Sequence, residues 1–178
     1  MPAPFFCAEE AQQLQEDPIG CAGTFPLYIL VECPTPWPAQ ALKAAAIPDN
    51  LRTWFETYED DNLPIRLLLI ANEQSHRNAQ KRVLMFRQQT GFSAGYTQQE
   101  FVVDDLEQVV PLIQTYLTDP SSLVSLADPS IQDFLICTHG SHDKCCAKYG
   151  LTFYKQAIAT LHQSSVSPKQ VRLWQVSH

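Results

Sequence analysis

Residues 133–161 read DFLICTHGSHDKCCAKYGLTFYKQAIATL, and this stretch determines which class of fold the chain can form. An apolar run of strand length ends at Cys137 and is followed by turn-forming residues. From Cys146 onward, apolar residues recur every three or four positions, which predicts a helix with one buried face. A further strand is predicted over residues 171–176. Strand, loop, helix and strand together indicate an α/β fold, in which sites form at the carboxyl edge of the sheet.

The pattern upstream extends the α/β prediction through the rest of the chain. Prolines and polar turn formers over residues 118–130 mark a boundary between two units, residues 1–128 and residues 129–178. Strands are predicted over residues 27–33, 65–71, 81–87 and 99–103, and helices over residues 5–14, from Pro48 through Tyr58, and from Asp104 or Asp105 to about Leu117. The buried face of the last helix is expected to comprise Cys146, Gly150, Phe153, Ala157 and Leu161, widened by Tyr154 and Ile158.

Composition narrows the class of protein and of partner. The chain has 178 residues, 45% of them apolar, but no apolar run approaches the length of a membrane span. Its first residues, MPAPFFCAEEAQQ, lack the basic start of a secretory signal, so we expect a cytoplasmic protein. The net charge of −7 and the scattered Lys and Arg residues argue against nucleic acid or a membrane as partner. An acidic surface is compatible with a basic protein partner.

The loop after the predicted strand concentrates soft, titratable side chains. Cys137, His139, His142, Cys145 and Cys146 fall within ten positions, in a chain with six cysteines and five histidines. Thiolates are nucleophiles and metal ligands, and a helix N-terminus lowers the pKa of a thiol. We therefore expect Cys145 and Cys146, in the first helical turn, to favour the charged form. Asp143 is expected to cap this helix.

Three kinds of chemistry fit such a loop. A structural zinc ion, in a module that binds another protein, would take Cys137, His139, His142 and one of Cys145 or Cys146, although this spacing is unusually compact. A thiol-dependent oxidoreductase would use Cys145 and Cys146, which are adjacent instead of forming the usual CxxC. An iron–sulfur cluster also needs four ligands, of which His sometimes supplies two. The residues alone leave zinc and the cluster equally favoured.

The chain resembles the sucrase/ferredoxin-like family, whose ferredoxin part has a thioredoxin-like fold. Four stretches carry the resemblance: CTHGSHDKCCAKYG (137–150), CAEEAQQLQEDPIGCAG (7–23), PLYILVECPTPWP (26–38) and QVSH (175–178). The resemblance implies that residues 1–128 form the family's N-terminal α/β lobe. It also implies that residues 129–178 begin a thioredoxin-like ferredoxin domain.

The same resemblance implies a [2Fe–2S] cluster held by two cysteines and two histidines. By position, the ligands would be Cys137, Cys146 and His178, with Cys145 and His139 as possible substitutes. The second histidine of the family motif would follow four residues after His178, so we expect the chain to be C-terminally truncated. The implied function is one-electron transfer to a redox protein partner that the sequence does not identify. The protein would then be an electron carrier more than an enzyme.

Overall fold

The computed structural model describes residues 6–17, 23–58, 64–90, 95–164 and 170–177 and has a mixed α/β fold, as predicted. The α-helices are α1 (Cys7–Gln13), α2 (Asp49–Thr57), α3 (Val109–Thr118) and α4 (Leu151–Gln163). The strands are β1 (Leu27–Glu32), β2 (Ile65–Ala71), β3 (Lys81–Gln88), β4 (Tyr96–Val103), β5 (Gln132–Cys137) and β6 (Val171–Val176). The six form one curled sheet in the order β4-β3-β1-β2-β6-β5. No helix in this part of the chain has the length and apolar character needed to cross a membrane.

Two parallel strand–helix–strand units build the sheet. In the first, β1 and β2 pair in parallel and α2 lies between them in the chain; in the second, β5 and β6 do the same around α4. The antiparallel strands β3 and β4 extend the first unit beyond β1. The units join where β2 pairs with β6, through only two residue pairs, Ile70 with Val176 and Ala71 with Gln175. Because these pairs lie at the carboxyl ends of both strands, the two units meet at their carboxyl edges.

The two faces of the sheet bury separate apolar clusters. One face carries alternate residues of β1, such as Ile29 and Val31, which pack with side chains of α2 and α3. The opposite face carries Leu30 and Leu84, which pack against Trp174 of β6. Trp174 is completely buried, so the β5–β6 pair curls over this face instead of continuing the sheet outward. The indole of Trp174 therefore anchors the second unit to the first.

A buried ionic cluster joins the same two units. Arg172 of β6 donates two hydrogen bonds of 2.7 Å to the two carboxylate oxygens of Asp133 on β5. Arg172 also contacts Glu100 of β4 at 2.8 Å, and the Trp174 indole N–H donates to Asp133 at 2.6 Å. Burial alone would raise the pKa of Asp133, but hydrogen bonds from Arg172, Trp174 and Gln98 outweigh it and lower that pKa below its ordinary value.

Most predicted strands lie where expected, and the largest shift is in β4. Its predicted start was residue 99, but β4 begins at Tyr96 because residues 96–99 pair with β3 in an antiparallel ladder. Glutamines in this stretch hide the alternation of apolar and polar residues on which the prediction relied. The division into units 1–128 and 129–178 stays a prediction. In the described residues, strands from both sides of residue 128 belong to one sheet.

The buried face of the last helix differs from its prediction. Phe153 was expected in the core, but its side chain is 60% exposed, whereas Tyr154 is 4% exposed. The reason is a π-helical turn, Cys146–Gly150, that precedes α4. A π-turn contains an extra residue, so it rotates every later side chain relative to a regular helix. Together with Phe134 of the edge strand β5, Phe153 lines an apolar groove of about 570 Å³.

We predict that Asp133→Asn destabilises the fold by about 2 kcal/mol at neutral pH, because it removes one of the two carboxylates that pair with the buried Arg172 guanidinium. The folded-state pKa of Asp133 is lowered, so its stabilisation is present above the unfolded-state pKa of about 4 and is lost as the pH falls through the lower folded-state pKa. Urea unfolding between pH 2 and 7 measures this, and the variant is expected to lose stability less steeply in acid than the wild type.

Asp49→Asn is the matched control, because Asp49 pairs with Arg52 on the surface and its side chain is 91% exposed. The control is expected to change the free energy of unfolding by less than about 0.5 kcal/mol. Equal losses in the two variants would contradict the assignment of the Asp133 cluster as the tie between the units.

Candidate metal centre at the cysteine loop

Two cysteine side chains meet at the carboxyl end of β5. Cys137 is the last residue of this strand, and Cys146 opens the π-helical turn after the loop. The loop reverses the chain, so the two Sγ atoms lie 2.9 Å apart although the cysteines are nine positions apart in sequence. Both side chains are half-buried. The structure thus places two thiols at one point near the surface.

Two glycines allow the loop to close this tightly. A Cβ atom on Gly150 would overlap the backbone carbonyl oxygen of Cys137, and one on Gly140 would lie 2.5 Å from the Cβ of Ala147. Gly150 has ordinary helical backbone angles, so the requirement is for space and not for an unusual conformation. The helix therefore packs directly onto the strand end that carries Cys137.

The proline-rich segment after β1 holds the loop from the other side. The Nε2–H of His139 donates to the carbonyl of Pro38 at 2.7 Å, and the Ser141 hydroxyl donates to the carbonyl of Trp37 at 2.6 Å. The rings of His139 and Trp37 also pack edge to face, and His139 is only 2% exposed. The Trp37 indole N–H donates in turn to the carbonyl of Cys33, at the end of β1. The loop is therefore fixed to the first unit by the residues between its cysteines.

The first helical turn is capped as predicted, but its thiol is not activated. The Asp143 carboxylate accepts the backbone N–H of Cys145 at 2.6 Å. Burial, followed by the hydrogen bond and charge of Cys137 and the charge of Asp143, raises the pKa of Cys146 to about 12. The expectation that the helix N-terminus lowers the pKa of Cys146 is therefore wrong. A metal ion would have to displace a proton from this thiol in order to bind.

Helix α1 covers the outer side of the π-helical turn. Lys148 forms an ion pair with Glu9 at 2.7 Å, and the Tyr149 hydroxyl donates to the same carboxylate. The ammonium of Lys148 lies 4.2 Å from the centre of the Phe6 ring, a cation–π contact. These contacts are exposed, so they add little stability, but they set the position of α1.

The structure brings together two of the residues that the sequence nominated as ligands. Cys137 and Cys146 face each other, and Cys145 follows Asp143 in the same turn. The Nε2 atom of His139 is engaged with the Pro38 carbonyl and is not available to a metal in this arrangement. His178 lies outside the described residues. Among the described residues, no three or more Cys, His, Asp or Glu side chains converge on a possible metal position.

The thiol pair fits one metal ion as half of its ligand set. Two thiolates on a tetrahedral metal, at metal–sulfur distances of about 2.3 Å, lie about 3.8 Å apart. The observed separation of 2.9 Å needs to widen by roughly 1 Å, within reach of small side-chain rotations. Cys137 and Cys146 could therefore bind one iron of a two-iron cluster, or a zinc ion, and the remaining ligands must come from elsewhere.

Sequence reasoning missed the residues that position the thiols. Gly150 and Ser141 carry no signal of their contacts, which depend on approaches between distant segments. Trp37 is buried, and its backbone carbonyl accepts the hydrogen bond of the loop hydroxyl. The unusual PTPWP run after β1 was the one available hint, because a strand followed by three prolines marks a specialised turn.

Fold and site together define a mixed α/β protein with a paired-thiol loop at the carboxyl end of a strand. A family model described as sucrase/ferredoxin-like matches residues 18–178. The chain belongs to the sucrase/ferredoxin-like family, which suggests a thioredoxin fold of the ferredoxin-like kind. The matched range includes the cysteine loop and the proline-rich segment. No curated protein and no solved structure matches the chain.

We predict that Gly150→Ala lowers the free energy of unfolding by about 2 kcal/mol or more, because its Cβ would overlap the Cys137 carbonyl and force the helix off the strand. Urea unfolding followed by circular dichroism measures the change. Gly23→Ala is the control, since its Cβ would lie 3.7 Å from the Phe25 ring, an ordinary contact. A variant at Gly150 as stable as the control would refute the close packing of helix and strand.

We predict that His139→Leu costs about 1–3 kcal/mol, because it leaves the buried carbonyl of Pro38 without a donor. His139→Gln keeps an N–H group near the position of Nε2 and is expected to recover at least half of that loss. Unfolding free energies of the two variants make the comparison. If leucine and glutamine are equally destabilising, the role of His139 is only to fill space.

Proposed function

We propose that this protein binds a [2Fe–2S] cluster and transfers single electrons. The observation that carries the proposal is the convergence of the Cys137 and Cys146 thiols, 2.9 Å apart at the end of β5. These are the two cysteines that the resemblance to ferredoxin-like proteins nominates. The bound cluster would supply a reversible one-electron couple.

The residues of the chain would divide the ligand role. Cys137 and Cys146 would hold one iron, and His178 would serve the second, with a fourth ligand still to be identified. His139 and Ser141 would hold the loop against the Trp37 and Pro38 carbonyls, so both thiols stay in place whether or not metal is present. A site preorganised in this way changes little on redox cycling, which favours electron transfer.

Exposure and charge support a protein as the redox partner. The half-buried cysteines would leave the metal centre close to the surface, within reach of a docked electron donor or acceptor. The net charge of −7 favours a partner with a basic face. A cytoplasmic location is part of the proposal, because Cys33, Cys137, Cys145 and Cys146 are not joined in disulfide bonds and cytoplasmic thiols are kept reduced.

The geometry of the loop supports the two rival functions less well than it supports electron transfer. A structural zinc module would need two further ligands beside the thiol pair, and the His139 Nε2 atom is already engaged. A thiol-dependent oxidoreductase based on Cys145 and Cys146 would need a low pKa, whereas the pKa of Cys146 is raised to about 12. An electron carrier needs neither a substrate pocket nor an activated nucleophile.

We predict that protein purified without oxygen from iron-supplied cells absorbs between roughly 400 and 600 nm and bleaches with dithionite. Cys137→Ser and Cys146→Ser are each expected to abolish this absorption, because each removes a ligand. Cys145→Ser is the matched control, an adjacent thiol in the same helical turn, and is expected to keep it. Iron and acid-labile sulfide are measured on the same samples.

A colourless wild-type protein that contains zinc would instead support the structural module. A colourless protein without metal would instead support the thiol-dependent oxidoreductase. Loss of colour in Cys145→Ser, with colour retained in Cys146→Ser, would mean that Cys145 and not Cys146 is the ligand.

A further inference from the structure

We propose that, when no metal is bound, Cys137 and Cys146 form a reversible disulfide bond. The proposal concerns the metal-free chain, so it holds or fails independently of the cluster. It makes the cysteine loop a thiol–disulfide switch with two mutually exclusive states, metal-binding and oxidised.

The geometry places the two sulfur atoms between these states. A disulfide requires a separation of about 2.0 Å, and a shared tetrahedral metal requires about 3.8 Å. The observed 2.9 Å lies midway. Each state is therefore reached by a movement of roughly 1 Å, in opposite directions, without moving β5 away from the helix.

The alternative pairing of Cys145 with Cys146 is disfavoured by the backbone. Adjacent Cα atoms are about 3.8 Å apart, below the usual Cα separation of disulfides, about 4.4–6.8 Å. Cys145 has helical angles of −62° and −41°, and its N–H is held by Asp143. A bridge between the adjacent residues would have to break this first helical turn, whereas a bridge to Cys137 would not.

The surroundings supply access and support. Both side chains are half-buried, so a small oxidant can reach them. His139 and Ser141 fix the loop to the neighbouring segment from positions between the two cysteines. The second thiol is therefore already in place when the first has reacted, which favours closure over a lasting mixed disulfide.

The oxidant that we assign is a low-molecular-weight disulfide of the glutathione class. One cysteine thiolate attacks glutathione disulfide, forms a protein–glutathione bond and releases one glutathione thiolate. The other cysteine thiolate then attacks the protein sulfur and releases the second glutathione. The raised pKa of Cys146 lowers its thiolate fraction and slows the step that it performs, but the closing step needs no further encounter because the two sulfur atoms lie 2.9 Å apart. Two protein thiols are oxidised, one glutathione disulfide is reduced, and the two protons from the cysteines end on the two glutathione molecules.

The closed bridge would exclude metal. Neither sulfur of a disulfide is a thiolate, and the thiolate is the form that binds metal. Loading of iron or zinc would therefore require prior reduction of the bridge, and a loaded metal would protect both thiols from oxidation. The switch makes the state of the site depend on the ratio of reduced to oxidised glutathione.

The test equilibrates the metal-free protein, treated with chelator, across a series of glutathione and glutathione disulfide mixtures. Samples are quenched in acid, alkylated and digested with trypsin. Trypsin separates Cys137, in the peptide of residues 88–144, from both later cysteines, in the peptide of residues 145–148. A bridge from Cys137 links two peptides, whereas a Cys145–Cys146 bridge stays within one, so mass spectrometry distinguishes them directly.

We expect the two peptides to be linked, in wild type and equally in Cys145→Ser. Half of the wild-type protein should carry the bridge at a concentration of glutathione disulfide roughly a hundredfold lower than the concentration that glutathionylates half of Cys137→Ser or Cys146→Ser. The reason is that the second thiol is held in place beside the first. A bridge inside the 145–148 peptide, or stable glutathionylation of wild type without linkage, would overturn the proposal. The tryptic peptide maps of wild type and Cys145→Ser test the proposal even if Cys137→Ser or Cys146→Ser fails to fold.

The visible spectrum of protein purified without oxygen is recorded in parallel. A chain that forms the bridge but never carries iron would refute the cluster and keep the switch. A chain that carries iron but forms no bridge after chelation would refute the switch and keep the cluster.

Discussion

The buried ionic cluster of Asp133, Arg172 and Glu100 is the contact on which the arrangement of the cysteine loop depends. Only two residue pairs connect β6 of the second unit with β2, and these are too few to fix the orientation of the second unit. Arg172 adds a charged contact to Glu100, and Trp174 fills the apolar face beside it. These groups set the angle at which β5–β6 curls over the sheet. That angle brings the end of β5 beside the proline-rich segment, where the loop is held.

The sequence pattern predicted the strands well because the central strands bury apolar side chains on both faces of the sheet. The strand over residues 65–71 and the strand over residues 171–176 match their predictions, since apolar runs bounded by turn formers are strong local signals. The helix after the loop was found, but the burial of Phe153 was mispredicted. The π-helical turn lies where Gly150 packs against the strand end, and the local sequence pattern does not predict such a turn.

The candidate site was predictable as a set of residue types but not as a geometry. The density of cysteines pointed to the loop, and the resemblance chose Cys137 and Cys146 from it. Which sulfur atoms meet depends on the fold of the whole loop, including a contact from His139 to a carbonyl about a hundred positions away. The pKa of Cys146 illustrates the same limit. The helix N-terminus was visible in the sequence, whereas burial and the neighbouring thiol, which dominate the shift, were not.

The strand order also has a consequence for biosynthesis. β5 has β6 as its ladder partner, and β6 begins 34 residues after Cys137 ends β5. During translation, β5 therefore leaves the ribosome well before the strand that orders it, and the contact of β6 with β2 closes a loop of more than a hundred residues. Pairings of such high contact order form late in folding. The loop thiols thus reach their final places only when synthesis has passed β6, so any cofactor insertion at this loop has to wait for that strand.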